Sequence, residues 1–320
     1  MKKFKDLTIR DAFMFAAVMS DPEICRRVLE LAIGIPIAEV HIQTEKTMVY
    51  HSEYHGVRLD VYAADEARTR FNVEMQVSPQ KYLPKRSRYY HAQLDMGVLR
   101  TGESYKELPD TYVIFICDFD PFTEGLYRYS TGMTCRETGK TVSDGVETIY
   151  LNAYGKNPGE VPSELVQFLN YVKDIGRIET SLNTDPLVRD IEKKIGDIKR
   201  SRSMEDRYML LEEMIRDERN DATVKTISHN IIMSLESKFP ISDDLKNTIS
   251  SEKNIAILEK WFALSLTTAS LEDFKDNKIL HIYFLSERFT FHKYKNFYTL
   301  RYLLIAYYKR EQPSKLFPLK

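Results

Sequence analysis

The chain is poor in sulfur chemistry. Its three cysteines, Cys25, Cys117 and Cys135, are odd in number, far apart and in no CxxC or Cys/His pattern. That excludes a disulfide framework and a zinc-ligand spacing, and it agrees with a reducing cytoplasm. Glycine and proline number only 12 each, so loops are expected to be short and regular structure abundant. No apolar run approaches the roughly 20 residues that cross a bilayer. The opening MKKFKDLTIRDAFMF has no apolar core or small-residue cleavage site of a secretion signal. No membrane partner is expected, and the location expected is cytoplasmic. No Gly-rich phosphate loop and no nucleophile elbow occur, which removes nucleoside-triphosphate and serine-hydrolase chemistry. The net charge is −1, so any nucleic-acid contact has to use a local basic patch.

What is present is ample core material: 43% of 320 residues are apolar, enough for two domains or one domain with an extension. Helical patterns cover 8–19 and 22–33, the second entered through Ser20-Asp21-Pro22 and stopped at Gly34. Strand patterns follow at 46–54, weakly, then at 57–63 and 70–77. A helix is expected over 80–101, closed by Gly102. Residues 112–119, YVIFICDF, suit a strand buried on both faces. The strand, long helix and buried strand make a right-handed parallel crossover unit. Shorter strand signals fall near 126–136 and 146–151. Beyond 156 the pattern is helical, at 163–174, 186–200, 204–220, 222–237 and 252–266, with a narrow apolar stripe of Ile191, Ile195, Ile198, Met209, Leu210 and Met214. The division expected is therefore 1–155 as an α/β catalytic domain, 156–280 as a helical domain and 281–320 as a basic aromatic tail. That tail holds eleven aromatics and eight Lys or Arg against two acids, a local +6, so that the first 280 residues carry −7. A terminal helix or an unrelated tail is preferred there over a single-strand-stacking surface.

The hairpin is the informative stretch. In VRLDVYA and RFNVEMQV apolar residues fall at odd positions and polar ones at even positions. Opposed residues must share a face, so their numbers sum to an even value. A three-residue loop at 66–68 makes that sum 134, which sets Asp60 opposite Glu74 and Arg58 opposite Gln76. Two opposed carboxylates repel unless one takes a proton or a divalent cation sits between them. Mg²⁺ commonly uses one or two protein carboxylates and completes its shell with water and phosphate. The plainer alternative is a pair of solvated acids on an outer sheet face. Gln76 on the same patch, the Lys81, Lys85 and Arg88 stripe that follows, and the buried strand beyond all weigh against it.

The spacing of Asp60, thirteen residues, then Glu74-Met75-Gln76, then a basic and aromatic helix, resembles the PD-(D/E)XK nuclease superfamily. More narrowly, DAFMFAAVMSDPEICRRVLE at 11–30, GVRLDVYAAD at 56–65, FNVEMQ at 71–76, LPKRSRYYHAQLD at 83–95 and YVIFICDFDPF at 112–122 resemble the Rpn family of recombination-promoting nucleases and transposases. The likeness covers about 6–155, thins through the helical half and does not reach 281–320. It implies an α/β fold with a restriction-endonuclease-like αβββαβ core and a C-terminal α-helical extension. It also implies DNA as substrate and cleavage dependent on Mg²⁺ or Mn²⁺.

Carried onto this chain, the resemblance makes Asp60 and Glu74 the acidic ligands and Gln76 the residue standing where many relatives have lysine. An amide orients water but adds no charge, so Lys85 is the candidate for the missing cation. The Met75 carbonyl is a third ligand candidate, Asp11 a supporting acid and Glu30 its runner-up. Lys81, Lys85, Arg86 and Arg88, with Tyr90 or its neighbour Tyr89, are expected to contact DNA. Histidines 51, 55 and 91 have no ligand spacing and read as ordinary residues. The leading expectation is a DNA endonuclease that leaves a 5′-phosphate and 3′-hydroxyl, linked to recombination or a mobile element. The rivals are a catalytically inactive DNA-binding or assembly protein and a conditional effector. Double-strand cutting would call for a homodimer, expected through the helical half.

Overall fold

The computed structural model describes residues 2–48, 57–66, 68–99, 101–173 and 185–277, with side chains outside that description over 44–60 as well. The basic tail at 281–320, with His51 and His55, lies outside the described residues. Among those described, contacts divide the chain into two compact units, Met1–Met209 and Leu210–Lys320.

The first unit is built on a six-stranded mixed sheet in the order β1-β2-β3-β4-β6-β5. β1 (Val40–Met48), β2 (Val57–Asp65) and β3 (Arg70–Gln76) form an antiparallel meander. β4 (Thr111–Cys117) then lies parallel to β3, β6 (Val146–Asn152) parallel to β4, and β5 (Arg128–Thr131) antiparallel to β6. Helix α1 (Ala12–Met19) and α2 (Pro22–Ile33) precede the sheet, and α3 (Leu83–Met96) is the crossover between β3 and β4. α4 (Ser163–Lys173) and α5 (Pro186–Arg200) pack with α1 and α2. Both helices thus belong to this unit, although composition set a boundary at 155.

Local chemistry explains the boundaries. The Asp21 carboxylate accepts from the amides of Glu23 and Ile24, Pro22 fills the first turn, and Gly34 leaves α2 at φ +80°. At the β2–β3 hairpin the Asp65 carbonyl accepts from Arg68 N at 3.1 Å and its side chain from Thr69 N at 2.8 Å. Arg68 takes φ +70°, the left-handed residue that ends a three-residue hairpin loop. The register is Val61↔Val73, Tyr62↔Asn72, Ala63↔Phe71 and Ala64↔Arg70, so opposed numbers sum to 134 as parity required.

Four expectations need correction. The strand read at 46–54 begins earlier, at Val40, because β1 pairs along the whole of β2; residues 49–54 lie outside the described residues. The helix read at 80–101 runs only from Leu83 to Met96, since Gly97 rather than Gly102 caps it. The signal at 126–136 is the four-residue β5. The two helices read at 204–220 and 222–237 are one, α6 (Arg202–Glu236), which contains no glycine or proline to break it.

The sheet is covered on both faces. β4 is buried throughout Val113–Cys117, as its apolar run implied. On one face α3 sets Leu83, Tyr90 and Leu94 against Tyr62, Val113, Phe115, Cys117 and Tyr150. Each such side chain contributes about 1.5–3 kcal/mol on burial. α1 and α2 contact β1, β2 and β6 and cover the other face.

In the second unit the C-terminal half of α6 joins α7 (Asp243–Ser251), α8 (Ile255–Thr267) and a helical stretch at 271–277. Their core includes Val224, Ile231, Leu235, Leu258, Trp261 and Phe274. Ser242 caps α7 through Leu245 N, and Asn254 caps α8 through Ile257 N. The apolar stripe read from sequence splits in two. Ile191, Ile195 and Ile198 are buried, whereas Met209, Leu210 and Met214 are exposed.

Candidate active site

Alternation along β3 carries Asn72, Glu74 and Gln76 to the face that α3 covers, and all three are buried, Glu74 completely. A carboxylate removed from water needs charge or hydrogen-bond compensation. Glu74 receives both. Arg86 Nη2 donates to its Oε2 at 2.6 Å, Asn72 Nδ2 donates to Oε1 at 3.1 Å, and the Tyr90 hydroxyl stands 3.4 Å from Oε2. The same guanidinium reaches Gln76 Oε1 at 3.3 Å and Gln80 Oε1 at 3.1 Å through Nη1, and its Nε donates to the Tyr90 hydroxyl. Glu74 and Gln76 are thus joined by one cation, and it comes from α3.

Asp60 lies on β2, one residue before the Val61↔Val73 pair. Continuing that register by one step sets backbone position 60 against 74. The Asp60 side chain lies outside the described residues.

The remaining sequence candidates separate by position. Lys81, Lys85 and Arg88 are exposed. The ammonium groups of Lys81 and Lys85 lie 6.0 and 5.6 Å from the Tyr82 ring centroid, on the outer side of α3. The cation that meets Gln76 is therefore Arg86, where the sequence suggested Lys85. Tyr90 is only 5% exposed; its ring packs in the α3 cluster and its hydroxyl is hydrogen-bonded, which leaves no surface for a DNA contact. Tyr89 is partly buried against the same cluster. The Met75 side chain points to the opposite face by alternation, so only its backbone carbonyl can join the Glu74 patch. Asp11 Oδ2 is taken by Lys2 Nζ at 2.6 Å, Thr8 N at 2.7 Å and Thr8 Oγ1 at 3.0 Å. Glu30 accepts from Arg26 and Ile37 N. Both acids are occupied in ordering the α1–α2 side of the sheet.

One residue escaped the sequence reading as a site group, and a second was read in a different role. Asn72 shared the polar parity, the one available signal. Its Oδ1 is buried without a hydrogen-bond partner. Arg86 was assigned to a DNA stripe, with no hint of its reach to Glu74. Behind them, His91 is buried between Thr111 Oγ1 (2.8 Å) and Thr148 Oγ1 (3.0 Å), and Ser87 also bonds Thr148. Burial pushes the imidazole pKa down to about 4, so it is neutral at pH 7 and structural, as its lack of ligand spacing suggested.

Among the described residues no group of three His, Cys, Asp or Glu forms a ready metal cluster. The donor set still suits a hard cation: the Glu74 carboxylate, the Gln76 amide oxygen and the unpartnered Asn72 Oδ1 are oxygen donors on one strand face. A cavity of about 430 Å³ lies between the start of α3 and the loop after β4, lined by Gln80, which Arg86 bonds, and by Lys81, Phe119, Asp120, Phe122 and Tyr150. It adjoins the carboxyl ends of the parallel strands β3 and β4, the usual position for ligands in such sheets. A cavity of similar size at the other end is lined by Asp110, Asp144 and Glu147, a lining that repels phosphate. No helix among the described residues is long and apolar enough to cross a membrane.

No curated protein and no solved structure matches the chain. A family model described as PD-(D/E)XK nuclease family transposase matches residues 23–225, which include β2, β3 and α3 and more than half of the chain. The chain belongs to the PD-(D/E)XK nuclease family transposases.

Proposed function

We propose that this protein is a divalent-metal-dependent DNA endonuclease with its active site on the β2–β3 hairpin beneath α3. The observation that supports the reading is the hairpin register up to Val61↔Val73, which, continued by one step, would bring position 60 opposite the fully buried carboxylate of Glu74. We read the run from α2 to β4 as the αβββαβ core of the restriction-endonuclease type.

Asp60, Glu74 and the Met75 carbonyl would hold Mg²⁺ or Mn²⁺. The ion supplies Lewis acidity, polarising a phosphate oxygen and lowering the pKa of nearby water. Gln76 orients the attacking water by its amide and transfers no proton itself. Arg86 offers the positive charge that a lysine supplies in other members, aimed at the charge gathering on the phosphate. The exposed Lys81, Lys85 and Arg88 hold the flanking DNA backbone through salt-sensitive contacts. The family's description as a transposase supports a link to a mobile element, and recombination is the proposed context.

A second reading has one observation in its favour. The Arg86–Glu74 ion pair neutralises the carboxylate without any metal, as an inert DNA-binding descendant of the fold would require. Supercoiled plasmid incubated with purified protein and Mg²⁺ or Mn²⁺ separates the two. The nuclease reading expects nicking that disappears in both Asp60→Ala and Glu74→Ala. DNA binding with no nicking at any metal would establish the inert module instead.

A further inference from the structure

The position of Arg86 carries an inference that rests on the proposed function. We propose that Arg86 is an exchangeable counter-ion: it holds Glu74 and Gln76 in the metal-free protein, gives up that place to the divalent cation, and passes its guanidinium to a phosphate of the DNA.

Three observations lead there. First, one guanidinium occupies oxygen atoms of both Glu74 and Gln76. A second, doubly charged cation cannot share Glu74 with it, because two positive charges a few ångströms apart in a partly dry site repel strongly. Second, only one partner of the pair can leave. The Glu74 side chain is 0% exposed, whereas that of Arg86 is 31% exposed, and Arg86 already bonds Gln80, which lines the adjoining cavity. Its long side chain can swing toward that opening while Glu74 stays fixed on β3. Third, the guanidinium does not complete the site. Asn72 Oδ1 remains buried with no donor, and a cation or a water from its shell would satisfy it. Buried oxygens are seldom left unpaired; Asp118 Oδ1 is another, but the Asn72 amide already bonds Glu74, so a cation on that carboxylate, or its water, can reach Asn72 Oδ1.

The exchange couples the two ligands. A cation arriving alone must displace Arg86 and leave the guanidinium without its carboxylate. When DNA is present the displaced guanidinium meets a phosphate, whose geometry it matches with two parallel hydrogen bonds. Metal and DNA therefore tighten one another's binding, by the same factor in each direction.

The test is Mn²⁺ binding to the full-length protein, followed by the paramagnetic signal of free Mn²⁺, with and without a short DNA duplex. Glu74→Gln, Arg86→Met and Arg86→Lys are compared with wild type. Without DNA, Arg86→Met is expected to bind Mn²⁺ about tenfold tighter than wild type, and the further tightening that DNA produces in wild type is expected to shrink. Arg86→Lys keeps the charge but cannot bridge Glu74 and Gln76 at once. It should show a smaller gain in the same direction, and it decides the matter if circular dichroism shows Arg86→Met unfolded. Mn²⁺ bound by wild type, lost in Glu74→Gln and unchanged or weaker in the Arg86 variants overturns the exchange and leaves the metal site standing. Absence of Mn²⁺ binding in every form overturns the metal site, and the exchange with it.

Discussion

Two arginine–carboxylate pairs stand at the carboxyl ends of the neighbouring strands β3 and β4, on opposite faces of one sheet. On the α3 face Glu74 meets Arg86, whose other donors reach Gln76, Gln80 and the Tyr90 hydroxyl. On the other face Asp118 meets Arg10, which also donates to the Lys173 carbonyl at 3.2 Å. The two are close in the chain's hydrogen-bond ladder, since Asp118 N donates to the Gln76 carbonyl at 2.9 Å. Their surroundings differ. Arg10 links three segments distant in sequence, the N-terminal turn, the end of β4 and the end of α4. Arg86 joins β3 to α3 and bonds Gln80, which lines a cavity. The same chemical pair ties distant segments in one place and adjacent elements in the other, where the proposed function makes it a ligand site. The neighbours decide which, more than the pair itself.

Substitutions should pull the two apart. The largest effect belongs to Glu74→Ala: metal-dependent nicking falls by about a thousandfold or more while circular dichroism still reports a folded chain, because the partly exposed Arg86 turns to water. Asp118→Ala is the mirror case. It leaves Arg10 without its carboxylate and lowers unfolding free energy in denaturant by about 1–3 kcal/mol, below the cost for a fully buried pair because Arg10 is 30% exposed. Nicking measured well below the melting temperature stays within a few-fold of wild type. Were Asp118→Ala to abolish nicking in a stable protein, the two pairs would not divide the labour in this way.

A third test concerns the polar support behind the α3 face. His91 has a folded pKa of about 4 against about 6.5 when unfolded. Between those values the unfolded chain binds a proton that the native one refuses, so stability declines as pH falls from about 6.5 to about 4. The loss attributable to this group is up to about 3 kcal/mol. His91→Gln should flatten that part of the pH–stability curve, at some cost in stability at pH 7. The smallest effects fall on the outer side of α3. Lys85→Ala and Arg88→Ala should each weaken DNA binding modestly and reduce the salt slope by about one, with Mn²⁺ affinity unchanged.

Much of this geometry was legible before any coordinates. Period-two alternation and a count of loop residues determined the hairpin register, because a slip of one residue would have turned every polar group to the other face. Asp21-Pro22 and Gly34 bounded α2 for reasons local to the chain. The helix pattern misled on α3 because its inward residues include Ser87 and His91, which are polar yet buried. The regular cationic stripe of Lys81, Lys85 and Arg88 faces outward instead. How a helix is rotated over its sheet depends on packing against Phe115 and Tyr150, and helical period alone does not contain that. So Arg86, at the flank of the inner face, could not be told from its neighbours. The continuity of α6 was hidden for a different reason: its middle is solvated, and an interrupted apolar stripe looked like a break in the helix.

One divalent cation shared between neighbouring strands is what the proposed function requires. Diffraction from crystals soaked in Mn²⁺, recorded for its anomalous signal, addresses this directly. A peak within coordination distance of carboxylate oxygens of both Asp60 and Glu74, with Arg86 moved away from Glu74, is the result predicted. A peak that touches neither carboxylate, or only one of them while the Arg86 pair stays intact, would contradict it.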